Sequence, residues 1–254
     1  MAAFVTTPSL SHKRILECDQ GDTDRSALAQ VKLDLDLLPT LTPPDRAWAN
    51  DACILRYLRA HNSDPRAALS GLMATLDWRN ATAPHRIPLS RIRSEGVSGK
   101  LVTHGFSRTG MPVLYMVPRN ENSTNEDLQL AYTLWTLEVC IRRMPPGVEK
   151  LVLVIDFAGM SLANSVSPSM QRKFVSVLTA HYPERLSRAY LVNAPWFFGA
   201  VWKAISPFLD PVTKPRLSLS KQRASQARTR CKDPTARRHA VGIAFRVRGR
   251  VTNR

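Results

Sequence analysis

No run of eighteen apolar residues occurs in the 254-residue chain. No segment is therefore expected to cross a bilayer as a helix, which takes roughly 20. Cysteine is scarce: Cys18, Cys53, Cys140 and Cys231 stand far apart, with no CxxC and no histidine at ligand spacing. That argues against a zinc site and a disulfide framework, and the expectation is a reducing compartment and no metal. The six histidines are equally dispersed. Neither GxxxxGKS/T nor GxGxxG is present, so a nucleotide has no glycine cradle for its phosphates. The opening MAAFVTTPSLSHKR lacks the apolar stretch of a signal peptide. Together these absences point to a cytoplasmic protein.

Acidic residues are the other scarcity, 20 against 36 Lys and Arg, for a net charge of +16. The excess is uneven. Residues 216–254 hold twelve Lys or Arg against one acid, Asp233, leaving 24 bases and 19 acids elsewhere. The body is mildly basic. The C-terminal run attracts RNA or anionic lipid through charge alone. Motifs that approach catalysis fail on spacing. Gly159-Met160-Ser161-Leu162-Ala163 is one residue from a GxSxG elbow. An elbow serine sits in the turn at a strand end, whereas here five residues separate Ser161 from Ile155. Leu151–Asp156 resembles a magnesium-binding strand, but without a phosphate loop it reads as a buried strand. No catalysis is expected.

What is present alternates. Residues 25–38 carry an amphipathic helical pattern ended by Pro39, and residues 45–58 and 65–79 predict two more helices. Asp64-Pro65 is a good start for the last, with Asp as cap and Pro at the first helical position. A strand over Pro112–Val117 precedes two overlapping capping boxes, Ser123 with Glu126 and Thr124 with Asp127, and a helix. The continuous apolar run Leu151–Ile155 marks a strand covered on both faces. Ser167-Pro168 opens a further helix, and Ala189–Val192 reads as a strand. Strand–helix–strand order of this kind implies an α/β architecture with a largely parallel sheet.

Residues 196–209 then read as a helix that is apolar almost all round: Trp196, Phe197, Phe198, Ala200, Val201, Trp202, Ile205, Phe208 and Leu209. A helix with no polar face must be buried or cover something apolar. Asp210, Thr213, Lys214 and Arg216 stand at its end, so the segment reads as an apolar lid with a polar clasp. A pocket for an amphiphile requires both.

The same residues carry a family resemblance. Tyr182-Pro183-Glu184-Arg185-Leu186, then Asn193-Ala194-Pro195-Trp196, then residues 207–213 (PFLDPVT) closely resemble the CRAL-TRIO lipid-transfer domains in order and spacing. Residues 55–60 (LRYLRA), with Trp78-Arg79 further on, look like the small helical module that precedes such domains. The likeness runs from about Asp51 to about Leu217.

The resemblance implies an α/β CRAL-TRIO lipid-binding fold over 91–217: a mostly parallel sheet with flanking helices and an apolar gate helix. A helical module at 26–90 precedes it, residues 1–25 are irregular, and residues 218–254 form a basic tail without fold. It also implies a monomer without a cofactor that binds a phospholipid, most readily phosphatidylinositol. Such a protein meets membrane surfaces transiently and binds no specific nucleic acid. The family's headgroup residues fall on Glu184, Thr213 and Arg216, with a further basic position at His61. Its apolar pocket and gate fall on Trp196, Phe197, Phe198, Val201, Ile205, Phe208, Leu209, Val212, Leu114, Leu151 and Leu153. With Thr103, those last three leucines stand where a phosphatidylcholine binder of the family surrounds choline with aromatic and hydroxyl groups. Leucine offers a quaternary ammonium nothing comparable, so a second ligand is expected to be something other than phosphatidylcholine. After the DPVT motif the family continues with another strand, a pattern not evident in SLSKQRASQ. The other reading open to the sequence is docking on RNA or an anionic membrane through the tail, with the domain as scaffold.

Overall fold

A computed structural model describes residues 22–161, 164–195, 198–199 and 217–220. Four helices come first: α1 (Asp22–Asp36), α2 (Pro43–Trp48), α3 (Asp51–Ala60) and α4 (Pro65–Thr82). Val31, Cys53, Ile54, Leu58, Ala68 and Leu72 belong to their shared core. The single helix expected over residues 45–58 is two. Asn50 is extended and accepts from the Cys53 N–H (3.0 Å), so it ends one helix and caps the next. Asp64 and Pro65 start α4 as expected, the carboxylate accepting from the N–H groups of Arg66 and Ala67.

A short helix, α5 (Leu89–Gly96), leads into the sheet, and Ile87 and Ile92 already belong to its core. The sheet elements are β1 (Leu101–Phe106), β2 (Pro112–Met116), α6 (Glu126–Arg142), β3 (Leu151–Asp156), α7 (Pro168–His181), β4 (Leu186–Val192) and β5 (Leu217–Ser220). The strands lie in the order β1-β2-β3-β4-β5, with β1 antiparallel to β2 and every other pair parallel. The α/β architecture with a mostly parallel sheet is the one expected. Two strands are additional to the sequence reading. In β1, a register irregularity between Thr103 and Phe106 and the positive φ of Gly105 blur the alternation. β5 pairs with β4 from Ala189↔Leu217 to Val192↔Ser220. Ser218, Leu219 and Ser220 are expected from the sequence to open the tail without fold; they instead complete this strand.

The capping box before α6 is also corrected. Asn125 caps the helix, accepting from the Asp127 and Leu128 N–H groups. The Glu126 carboxylate turns outward to accept from Ser167 and Ser169 across the chain. Ser167 caps α7 as expected.

Sequential strand order has a consequence for layering. Right-handed crossovers between neighbouring parallel strands all return on the same face of the sheet. Leu101, Leu114 and Leu151 from the strands share one core with Ala131, Leu134, Leu137 and Cys140 of α6, and Val177 and Leu178 of α7 pack against it. The opposite face carries the register row Tyr115, Val154 and Tyr190, whose tyrosines are exposed.

Candidate functional site

A central strand beneath two helices is normally sealed. β3 is not. Of its six residues only Leu151 is buried, and Val152 through Asp156 remain half-buried. Leu153 stands in register between Leu114 (3 % exposed) and Ala189 (1 %), yet is itself half-buried. The helix above is similar: Met170 is the only fully buried residue of α7, while Phe174, Val177 and Leu178 stay half-buried. Apolar surface thus remains accessible on both β3 and α7. Among the expected pocket leucines, Leu114 and Leu151 are sealed in the core beside α6. Leu153 is the one at the accessible surface.

Polar groups mark both ends of this region. At the entry edge, Lys150 precedes β3 and Glu184 precedes β4. Their side chains form an ion pair at 2.8 Å, with the Glu184 side chain 8 % exposed. Glu184 has φ 57, the left-handed region that non-glycine residues rarely adopt. Its neighbours hold it there. The Tyr182 hydroxyl donates to Glu138 (2.9 Å), and the Arg185 guanidinium donates to the backbone carbonyl of Glu149 (2.9 Å).

At the exit edge, Asp156 ends β3 and gathers three donors: Asn193 Nδ2 (2.7 Å), the Ala158 N–H (3.0 Å) and Arg119 Nη1 (3.1 Å). Partial burial pushes its carboxyl up, but those hydrogen bonds outweigh it and hold the group below the usual carboxylate value. Asn193 is left-handed (φ 55), turning the chain out of β4. Two residues on, the Pro195 carbonyl accepts from the Phe198 N–H (3.0 Å). The Phe198 ring lies 5.0 Å from Phe157, just past the end of β3. The start of the expected gate is therefore tied to the exit end of the sheet by one ring contact and one polar clasp.

Other expected site residues fall elsewhere. His61 follows α3 at its C-terminus, and its ring packs against Gly71 of α4, where a Cβ would stand 2.8 Å from Nε2. Trp196, Phe197, Val201, Ile205, Phe208, Leu209, Val212, Thr213 and Arg216 lie outside the described residues. Lys150 and Arg119 are not singled out by the sequence, and nothing in it pairs Asp156, the end of an apolar strand, with Asn193 of the family motif. The one available signal is their position, each at or beside the end of an apolar strand. His181 is half-buried and satisfied, with Nδ1 3.0 Å from Thr75 Oγ1 and its ring stacked on Trp78 at 4.2 Å. Ser161 lies in a loop, its N–H donating to Asn164 Oδ1 (2.7 Å). Among the described residues no helix is long and apolar enough to cross a membrane, and no group of three His, Cys, Asp or Glu could hold a metal.

Comparison with known proteins gives a consistent picture. The CRAL/TRIO domain family model matches residues 97–228. A CRAL-TRIO domain-containing protein of Schizosaccharomyces pombe is 36% identical over 176 residues, covering 69% of this chain and 18% of that protein. The phosphatidylinositol transfer protein PDR17 of Saccharomyces cerevisiae is 33% identical over 182 residues, covering 67% of this chain and 52% of that one. The chain thus spans about half or less of the length of these relatives. The crystal structure of Sfh5 superposes with a TM-score of 0.65 at 17% identity, over 79% of this chain and 81% of that one. That likeness concerns the fold.

Proposed function

The chain belongs to the CRAL/TRIO domain family, and from that premise we propose that it binds a phospholipid, phosphatidylinositol, in an enclosed apolar pocket. It then transfers the lipid between membranes or presents it at one. The observation that carries this reading is the incompletely covered central strand. Leu153 and the inner residues of α7 leave apolar surface accessible between two polar edges, the arrangement an amphiphile needs. The name of the relative PDR17, a phosphatidylinositol transfer protein, favours the same lipid.

The mechanism needs no covalent step. Two acyl chains carry about 30 methylenes, and at roughly 0.8 kcal/mol each their exposure to water would cost more than 20 kcal/mol. Carriage through water therefore requires full enclosure. Pocket and membrane are then similar apolar solvents, exchange is nearly balanced, and its rate is set by opening a lid. The apolar segment at 196–209 is the proposed lid, hinged at Asn193–Pro195. Glu184 accepts from inositol hydroxyls while Thr213 and Arg216 meet the phosphodiester.

Mass spectrometry of lipids co-purifying with the recombinant chain tests the proposal. Phosphatidylinositol near one per protein, lost in a Glu184→Ala, Arg216→Ala double variant, is the expected result. Comparable phosphatidylinositol and phosphatidylcholine, or no lipid from a folded protein, would overturn it.

A further inference from the structure

The entry edge of the sheet gathers charge of one sign. Phe106 pairs with Pro112, so the close of β1 lies at the same edge as the starts of β2, β3 and β4. A helix that leaves β2 at the exit edge must return to the entry edge to deliver the parallel strand β3. α6 therefore brings Arg142 and Arg143 there. Arg143 Nη1 donates to the Thr103 carbonyl (3.2 Å) and to Thr103 Oγ1 (3.0 Å), and its guanidinium lies over the Phe106 ring at 5.6 Å. Arg108 stands in the turn between β1 and β2, which Ser107 closes. The Ser107 N–H donates to the Met111 carbonyl (2.7 Å), and its hydroxyl accepts from the Met111 N–H (3.1 Å). Arg86 and Arg142 both act on the charge of His85, which sets Arg86 near the same end of α6.

The carboxylates nearby are already engaged: Glu149 with Arg56 and Arg59, Glu184 with Lys150, and Glu138 with Arg79. Arg86, Arg108 and Arg142 are exposed and form no ion pair among the described residues. The dipole of α6 accounts for cations at its C-terminus, but not for Arg108 on the turn. Nor does it account for Phe106, which is 49 % exposed, the most exposed aromatic ring among the described residues. An apolar ring set among unbalanced cations is the composition of a membrane-binding surface. The ring enters the headgroup layer while the cations meet anionic lipid.

We infer that the entry edge docks on an anionic membrane surface, with Arg86, Arg108, Arg142 and Arg143 against the lipid headgroups and Phe106 entering between them. The inference rests on the proposed exchange of lipid at membranes for its purpose, while its test reads docking alone. Glu184 lies at the same edge, so docking turns the headgroup end of the proposed pocket toward the bilayer. Nucleic acid shares the charge requirement, but one face of the Phe106 ring is taken by Arg143, leaving less of it for a stacked base.

Co-sedimentation of the full chain with phosphatidylcholine vesicles, with and without phosphatidylserine, tests it at fixed ionic strength. Arg108→Gln and Arg142→Gln should each weaken binding to the anionic vesicles about fivefold, the effect of one basic residue at such a surface. Arg172→Gln is the control. Arg172 is exposed, forms no ion pair among the described residues, and lies near the start of α7, toward the exit edge. Its loss removes the same charge and should leave affinity unchanged. The basic C-terminal run is present in every variant, so a difference among them is a difference of place. Phe106→Ala should weaken binding about tenfold at a salt concentration that screens charge. The arginine variants should keep the wild-type Tm and co-purified lipid, and they decide the matter if Phe106→Ala does not fold. The expected pattern in a chain that carries no lipid keeps the inference and removes the lipid-exchange reading. Equal losses in all three arginine variants, or none in Arg108→Gln and Arg142→Gln, overturn the inference. So does a loss confined to binding of single-stranded RNA, measured alongside, with vesicle affinity unchanged.

Discussion

Glu184 combines a strained backbone with a nearly enclosed carboxylate, and the two can be separated by substitution. Alanine at a φ of 57 keeps the left-handed cost of roughly 1–2 kcal/mol, whereas glycine does not. Both lose the ion pair with Lys150. The Glu184→Gly chain should therefore be more stable than Glu184→Ala by about 1 kcal/mol in urea unfolding, with phosphatidylinositol absent from both. Equal stabilities would mean that the turn relaxes in solution. His181 offers a second test, through pH. Burial holds its imidazole below the usual 6.5, and burial together with Arg79 does the same for His85. As pH falls through about 6.5 the unfolded chain takes up protons before the folded one, so stability is lost on acidification in that window. Tm should fall between about pH 7.5 and 5.5, and His181→Gln should show a smaller fall. An unchanged slope in the variant would remove His181 from the account.

Whole elements were legible where one local signal dominated. Asp64-Pro65 and Ser167-Pro168 each fix a helix start through a side-chain cap and a proline, and both helices begin there. Asn50 is hidden because apolar periodicity runs on across it, although its side chain restarts the chain as α3. Ser123 and Glu126 satisfy the pattern of a capping box, but Asn125 lies nearer the helix and takes the role, freeing Glu126 for two serines. β5 is four residues beside β4, and so short a parallel strand is specified by its neighbour more than by its own sequence. The incomplete cover over β3 was legible in no single residue, since it depends on how α7 sits. It is testable at this scale. Leu151 and Leu153 share one face of one strand, yet Leu151 is 4 % exposed and Leu153 half-buried. Leu151→Ala should cost about 2–5 kcal/mol. Leu153→Ala should cost less than half of that in lipid-free protein and should instead lower the phosphatidylinositol retained. Equal losses of stability would show that both leucines are ordinary core.

At the scale of the molecule, the helical module and the sheet domain are joined by a buried ion pair, Arg79 with Glu138, and a partly buried one, Arg56 with Glu149, while the charge excess collects at the C-terminus. Residues 229–254 hold eight Lys or Arg against Asp233 and lie beyond the CRAL/TRIO match, which ends at 228. Two truncations separate the tail from the fold. Removal of residues 229–254 leaves β5 and the family segment intact, so lipid loading and Tm should be retained. Affinity for anionic vesicles at low salt should drop, because attraction between exposed charges is what added salt screens. Removal from Ser218 onward also takes three of the four residues that pair with Ala189–Val192. That leaves backbone donors and acceptors of β4 without partners, and Tm and lipid loading should fall together. Co-purified lipid, Tm and vesicle co-sedimentation across the two truncations decide the matter. If the shorter cut alone empties the protein of lipid, the basic tail is part of the binding site. If neither cut affects lipid but both abolish all membrane binding, the tail is the principal docking device and the domain its scaffold.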